Sequence, residues 1–180
     1  QADAAYAVVT QKTFPGWGYM LEKGATTLWE VWDFSDDTYS HNHSMFGAVS
    51  EWFFSALAGI QPHSEAKGFD RIVLKPCVAG DLTWVKATYD SIRGEIVSNW
   101  RIESSTFHWD VVIPPNSSAT VILPPEYSKN ATEQGQPVAD VEFVKFLGVE
   151  GGQPVYQVES GRYSFVAEEG AMPSAFEPTK

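Results

Sequence analysis

At 180 residues the chain can bury a sizeable core, and a hydrophobic fraction of 43% with 14% aromatics excludes disorder. Its formal net charge of -11, from 12 basic and 23 acidic residues, repels phosphate backbones and anionic lipid, which sets aside nucleic acid and membrane surfaces as partners. The single Cys77 forbids a disulfide within the chain, and no Cys/His pattern has zinc spacing, so neither metal nor cofactor is expected. No apolar run approaches the ~18 residues of a membrane span. Seven Trp, seven Tyr and eleven Phe are more than a core of this size needs. Such an excess, beside many Asp, Asn and His, is common where flat sugar faces are stacked, although large β-sandwiches also gather aromatics.

Along the chain, residues 1–62 read as helical with one irregular stretch. Ala5, Val8, Val9 and Lys12 fit the tail of a helix. From Thr13 to Tyr39 the glycines, Pro15 and the acids predict a long loop, with a short helix near Thr26. A loop of that length in a folded domain is usually functional. The segment SHNHSMFGAVSEWFFSALAGI then sets Phe46, Val49, Phe53, Leu57 and Ile60 at steps of three and four, which predicts a helix with one buried face. Ser40 or Asn42 can cap its start, Gly59 suits its last turn, and Pro62 ends it.

After Pro62 the hydrophobic period falls from 3.6 to 2. FDRIVLKP, LTWVKATYD, GEIVSNWRIES, TFHWDVVIPP and SATVILPP are short runs of β-branched and aromatic residues divided by turn residues. ADVEFVKFLGV, PVYQV and GRYSFVA continue the series to residue 167, and the Gly-rich LGVEGGQP between two of them reads as a hairpin turn. Antiparallel strands without intervening helices predict a β-sandwich over 63–167, with a loose tail over 168–180. Two helices and a loop in about 60 residues cannot enclose their own apolar face. The helical part is therefore expected to pack on helices outside this sequence.

Two clusters could carry chemistry. GATTLWEVWD sets Glu30 between Trp29 and Trp32 with Asp33 close behind, and Glu22 to Asp37 holds five acids against Lys23 alone. A lone glutamate is most often a solvated surface acid. Beside indoles, however, a carboxylate can take sugar hydroxyls while the rings take the apolar pyranose face. In SHNH, His41 and His43 stand two apart at a helix mouth, so they share no helical face and no third metal ligand is suitably spaced. The plain reading is a cap with exposed histidines; the functional one has a histidine donating to a ligand hydroxyl. No GxSxG, P-loop or dinucleotide fingerprint occurs, which leaves acyl, phosphoryl and hydride transfer without support.

FPGWGYMLEKGATTLWEVWD, SHNHSMFGAVSEWFFSALAGI and GFDRIVLKP followed by GDLTWVKATYDSIRGEIVSNW resemble the C-terminal part of bacterial-type α-L-rhamnosidases of glycoside hydrolase family 78. The Trp-Glu-x-Trp block, the Asn-His before the helix and PPNSSATVILP occur in the family's order, over essentially residues 10–125. The resemblance implies an α+β chain: terminal helices of an (α/α)6 catalytic barrel over 1–62, followed by a C-terminal antiparallel β-sandwich. It implies inverting hydrolysis of terminal α-L-rhamnosides, with Glu30 matching the general base. It further implies that His43 contacts the sugar, that Trp29 and Trp32 help form the pocket wall, and that the general acid comes from a part of the barrel outside this sequence. The partners it implies are a rhamnose-containing carbohydrate and the remainder of the barrel, from upstream sequence or a companion chain. The alternative is a non-catalytic module, in which the sandwich binds carbohydrate through Trp84, Trp100 or Trp109, or serves only as a buttress. Alternating apolar neighbours favour core packing for those three tryptophans.

Overall fold

The computed structural model describes residues 1–37 and 40–170. The chain divides into two compact units, Gln1–Phe53 with Ala79–Asp81, and Phe54–Val78 with the residues from Leu82 on.

The first unit begins with α1 (Ala2–Thr10) and α2 (Trp17–Glu22). A six-residue helix is marginal by propensity, and its C-terminus is closed by backbone geometry. Gly24 takes φ +82, while the Gly24 and Ala25 N–H groups donate to the Leu21 and Met20 carbonyls. That satisfies carbonyls the last turn would otherwise leave open. The short helix expected near Thr26 thus lies earlier, where Trp17, Met20 and Leu21 supply the apolar residues. Asp3 of α1 accepts from the Gly80 N–H at 2.8 Å and Tyr6 donates to Asp81 at 2.7 Å, which ties the 79–81 loop to this helix.

The predicted helix over SHNHSMFGAVSEWFFSALAGI is less regular than its spacing implies. It runs as a 3₁₀ turn (Met45–Ala48), one α-turn that we call α3 (Val49–Trp52) and a π-turn (Phe53–Leu57). Ile60 is not part of it. Gly59, at φ +74, reverses the chain, and Ile60 opens strand β1 (Ile60–Pro62) against β2 (Arg71–Leu74). A side chain at residue 59 would sit 2.2 Å from the Lys75 carbonyl carbon, so backbone proximity as well as φ demands glycine there.

The second unit is a two-sheet sandwich. Its remaining strands are β3 (Trp84–Ser91), β4 (Gly94–Glu103), β5 (Thr106–Ile113), β6 (Ser118–Ile122), β7 (Lys129–Glu133), β8 (Gln136–Pro137), β9 (Val144–Glu150), β10 (Gln153–Val158) and β11 (Gly161–Glu168). One sheet has the order β1-β2-β6-β10-β9 and the other β3-β4-β5-β11-β7-β8. Pairing is antiparallel except between β2 and β6, which run parallel with Arg71 opposite Ser118. Hairpin turns follow from local chemistry. Gly151-Gly152 and Ser104-Ser105 both take positive φ at both central positions, the twist a two-residue hairpin needs.

Alternating inward residues of both sheets form one core. Ile72, Leu74, Val121 and Val158 from one sheet meet Ile96, Trp100, Trp109 and Phe165 from the other. Trp100 and Trp109 are thus core residues, as their alternation predicts, whereas Trp84 is 60% exposed. Glu169 and Gly170 follow β11 with bonded backbones, since their N–H groups donate to Ser105 and Glu126 carbonyls. The rest of the predicted loose tail, 171–180, lies outside the described residues.

Candidate active site

Glu30 and His43 stand on two arms of one loop, and backbone hydrogen bonds join the arms. The Glu30 N–H donates to Ser40 O at 3.0 Å and the His43 N–H to Leu28 O at 2.8 Å. The Thr27 hydroxyl adds a third bond, to the His41 carbonyl. Residues 27–30 are therefore held alongside 40–43 by main-chain groups and one threonine, independently of the Glu30 and His43 side chains. Both side chains are half-buried. Thr38 and Tyr39, in the intervening stretch, lie outside the described residues.

Two aromatic clusters anchor this loop. Trp29 is 3% exposed and packs on Phe34 and His41, with ring centroids at 5.3 and 5.8 Å. Phe34 and His41 lie parallel within 7°, and His41 Nε2 sits 3.0 Å from the Ser35 carbonyl, which makes that nitrogen the donor. Trp32 stacks on Phe46 at 3.9 Å and meets Trp17 edge-on at 4.9 Å. The Trp17 indole N–H donates to the Phe46 carbonyl at 3.1 Å. Aromatic pairs in these geometries add about 0.5–1.5 kcal/mol each beyond area burial, so Glu30 is carried on a braced segment.

Trp29 and Trp32 are both engaged by ring partners on this side of the chain, and Asp33, Asp36 and Asp37 are exposed. The residues that sequence reasoning missed are Trp17, Phe34 and Phe46, which hold the flanking tryptophans. Phe46 was marked only as one position of a helix face, and for Trp17 and Phe34 the only signal was the general aromatic excess. A separate apolar cleft of about 330 Å³ opens among Val9, Trp17, Met20, Leu28, Val49 and Phe53. Among the described residues no group of three His, Cys, Asp or Glu side chains could hold a metal ion, and no helix is long and apolar enough to cross a membrane.

A helical unit carrying a braced carboxylate loop is followed along the chain by a two-sheet sandwich. Residues 1–57 match the bacterial alpha-L-rhamnosidase 6 hairpin glycosidase domain, and residues 59–137 match the bacterial alpha-L-rhamnosidase C-terminal domain. The chain belongs to this family, and it matches the family's C-terminal region. It is 32% identical to an alpha-L-rhamnosidase of Streptomyces avermitilis over 91% of its own length and 16% of the relative's. It is 28% identical to one from Formosa agariphila over 93% of its length and 19% of that protein. The solved alpha-L-rhamnosidase from Dictyoglumus thermophilum superposes with a TM-score of 0.78 at 34% identity, covering 93% of this chain and 19% of that one. The Streptomyces avermitilis structure, complexed with L-rhamnose, superposes with the same TM-score at 32% identity, covering 91% and 16%. The chain thus spans less than a fifth of the length of these relatives.

Proposed function

We propose that this chain is the C-terminal portion of an inverting α-L-rhamnosidase that hydrolyses terminal α-L-rhamnosyl residues from glycosides or polysaccharides. In this reading the residues up to Leu57 are the last helices and active-site loop of an (α/α)6 barrel, and the strands from Ile60 to Glu168 are the C-terminal β-sandwich. The observation that carries the reading is the setting of Glu30. It is a half-buried carboxylate on a loop cross-bonded through its own N–H, inside the segment that matches the glycosidase domain.

Inverting hydrolysis requires two carboxyl groups roughly 6.5–9.5 Å apart, with a water between one of them and the anomeric carbon. Glu30 serves as the general base: ionised, it takes a proton from that water as the oxygen attacks. The general acid, which protonates the departing glycosidic oxygen, comes from the remainder of the barrel, in upstream sequence or a companion chain. Exposed Val8, Leu21, Met45 and Phe53 on the first unit support such a neighbour, since bare apolar side chains in this number suit a covered face. His43 donates to a sugar hydroxyl, and Trp29 and Trp32 shape the wall behind Glu30.

The test is Glu30→Gln in the full-length enzyme, assayed on an aryl α-L-rhamnoside. The amide keeps shape but cannot accept the proton, so turnover should fall by at least the ~10²–10⁴-fold that general-base catalysis contributes, with rhamnose affinity largely kept. Retention of more than about a tenth of wild-type turnover, a loss under roughly 1.4 kcal/mol, rejects Glu30 as the base.

A further inference from the structure

The outer face of the six-stranded sheet carries a feature that the hydrolytic reading does not use. Strand register puts Trp84 opposite Arg101 and Lys86 opposite Asn99, and puts Asn99 opposite Asp110 on the next strand. These five side chains line a shallow cleft of about 590 Å³, with Glu103 at its rim. Trp84, at 60% exposure, is among the most exposed large apolar side chains of the chain, and it belongs to neither sheet's inward set.

We infer that this cleft is a non-catalytic carbohydrate-binding surface, with the Trp84 indole as the platform for a pyranose ring and the Lys86–Asn99–Asp110 row and Arg101 bonding its hydroxyls. Three observations select a saccharide over a protein surface. First, the aromatic face is single and exposed, offering stacking without a contiguous apolar patch of the kind that protein partners bury. Second, donors and acceptors alternate over a few ångströms. Arg101 is already paired with Glu103 at 2.8 Å, the Asp110 carboxylate accepts from the Ser164 hydroxyl at 2.7 Å, and the Asn99 amide oxygen accepts from the Ala87 N–H at 3.0 Å. The Asp110 carboxylate and the Asn99 amide are thus oriented before any ligand arrives, which lowers the entropic cost of binding. Third, Lys86 makes no ion pair with the described residues. Burying it and Asp110 against protein would need matched counter-charges, whereas sugar hydroxyls both donate and accept and leave the cleft partly wet.

The occupant is drawn from the carbohydrate class of the family, yet the surface is separate in sequence from Glu30 and its test is independent of hydrolysis. Full-length protein should be run in native gels cast with soluble rhamnogalacturonan, with dextran as the arm lacking rhamnose and uronate. Each variant should be assayed in parallel on an aryl rhamnoside. Retardation by rhamnogalacturonan is expected for the wild type, weakened about tenfold or more in Trp84→Ala and largely restored in Trp84→Phe, because a truncated anchor loses most of its contact and a smaller ring keeps part of it. Aryl rhamnoside turnover and melting temperature should stay at wild-type values in both variants. Retardation by dextran but not rhamnogalacturonan would keep the surface and change its ligand. No retardation in either gel, or equal retardation of the wild type and Trp84→Ala, overturns the proposal. So does a lower melting temperature in Trp84→Ala, which would mean that the indole packs against another part of the enzyme. Loss of turnover in Glu30→Gln with retardation intact would leave both readings standing, and inactivity of the wild type on rhamnosides would strike the hydrolytic reading alone.

Discussion

Trp109 donates its indole N–H to Ser98 Oγ at 2.9 Å, and the same hydroxyl donates onward to the Ala58 carbonyl at 2.6 Å. Both side chains are fully buried, Ser98 on β4 and Trp109 on the neighbouring β5. Beside them the Trp100 indole donates to the Leu57 carbonyl at 2.8 Å. The end of the π-turn is thereby bonded to the sandwich core through three side chains that sequence patterning marks only as inward-facing.

This relay predicts the cost of removing one atom. Ser98→Ala leaves a buried indole N–H and a buried carbonyl without partners, and each such group costs about 1–3 kcal/mol. The variant should lose about 2–6 kcal/mol, read as a lower urea midpoint at unchanged slope. Trp109→Phe in the Ser98→Ala background should add less than it does alone, because the N–H it removes is already orphaned. Additive losses would show that the two groups do not act as one unit.

A second prediction concerns alkaline pH. Tyr156 packs against Phe146 in the core, and burial pushes its phenol up to about 12. The folded state thus favours the neutral form over a range where the unfolded chain, with a phenol near 10, ionises. The resulting stability is complete below about pH 10 and is lost as pH rises towards 12. Unfolding midpoints of the wild type should fall across that window more steeply than those of Tyr156→Phe. Parallel curves for the two would mean that this phenol does not control the alkaline limb.

The sandwich was legible wherever alternation met β-branched and aromatic residues, which is why eight of its strands correspond to runs visible in the sequence. β1 was hidden because Ile60 continues the three-and-four spacing of Phe46 to Leu57. Periodicity cannot register that Gly59 turns the chain. β7 and β8 were hidden because their residues, Lys129–Glu133 and Gln136–Pro137, are polar and hold their place through pairing with β11 and each other. Trp84 alternates like Trp100 and Trp109, but it faces outward; the strand pattern gives the period, and only the pairing tells which phase is inside. At the candidate site, Glu30 and His43 are named by resemblance alone. The cross-bonds that join their arms are main-chain contacts and leave no mark on residue type.

Those main-chain bonds also separate the support of the loop from the His43 side chain. The His43 N–H holds Leu28 O whatever side chain residue 43 carries, just as the Glu30 N–H holds Ser40 O. His43→Ala in the full-length enzyme should therefore leave the loop braced and remove only the imidazole. A donor that positions the sugar serves ground state and transition state together, so KM should rise at least as much as turnover falls. A group acting on protons alone would lower turnover at constant KM. His43→Asn, which keeps an N–H donor of shorter reach, should recover part of the KM change. If His43→Ala instead lowers the melting temperature by several degrees and leaves kcat/KM untouched, the imidazole is a packing element of the loop and not a sugar contact.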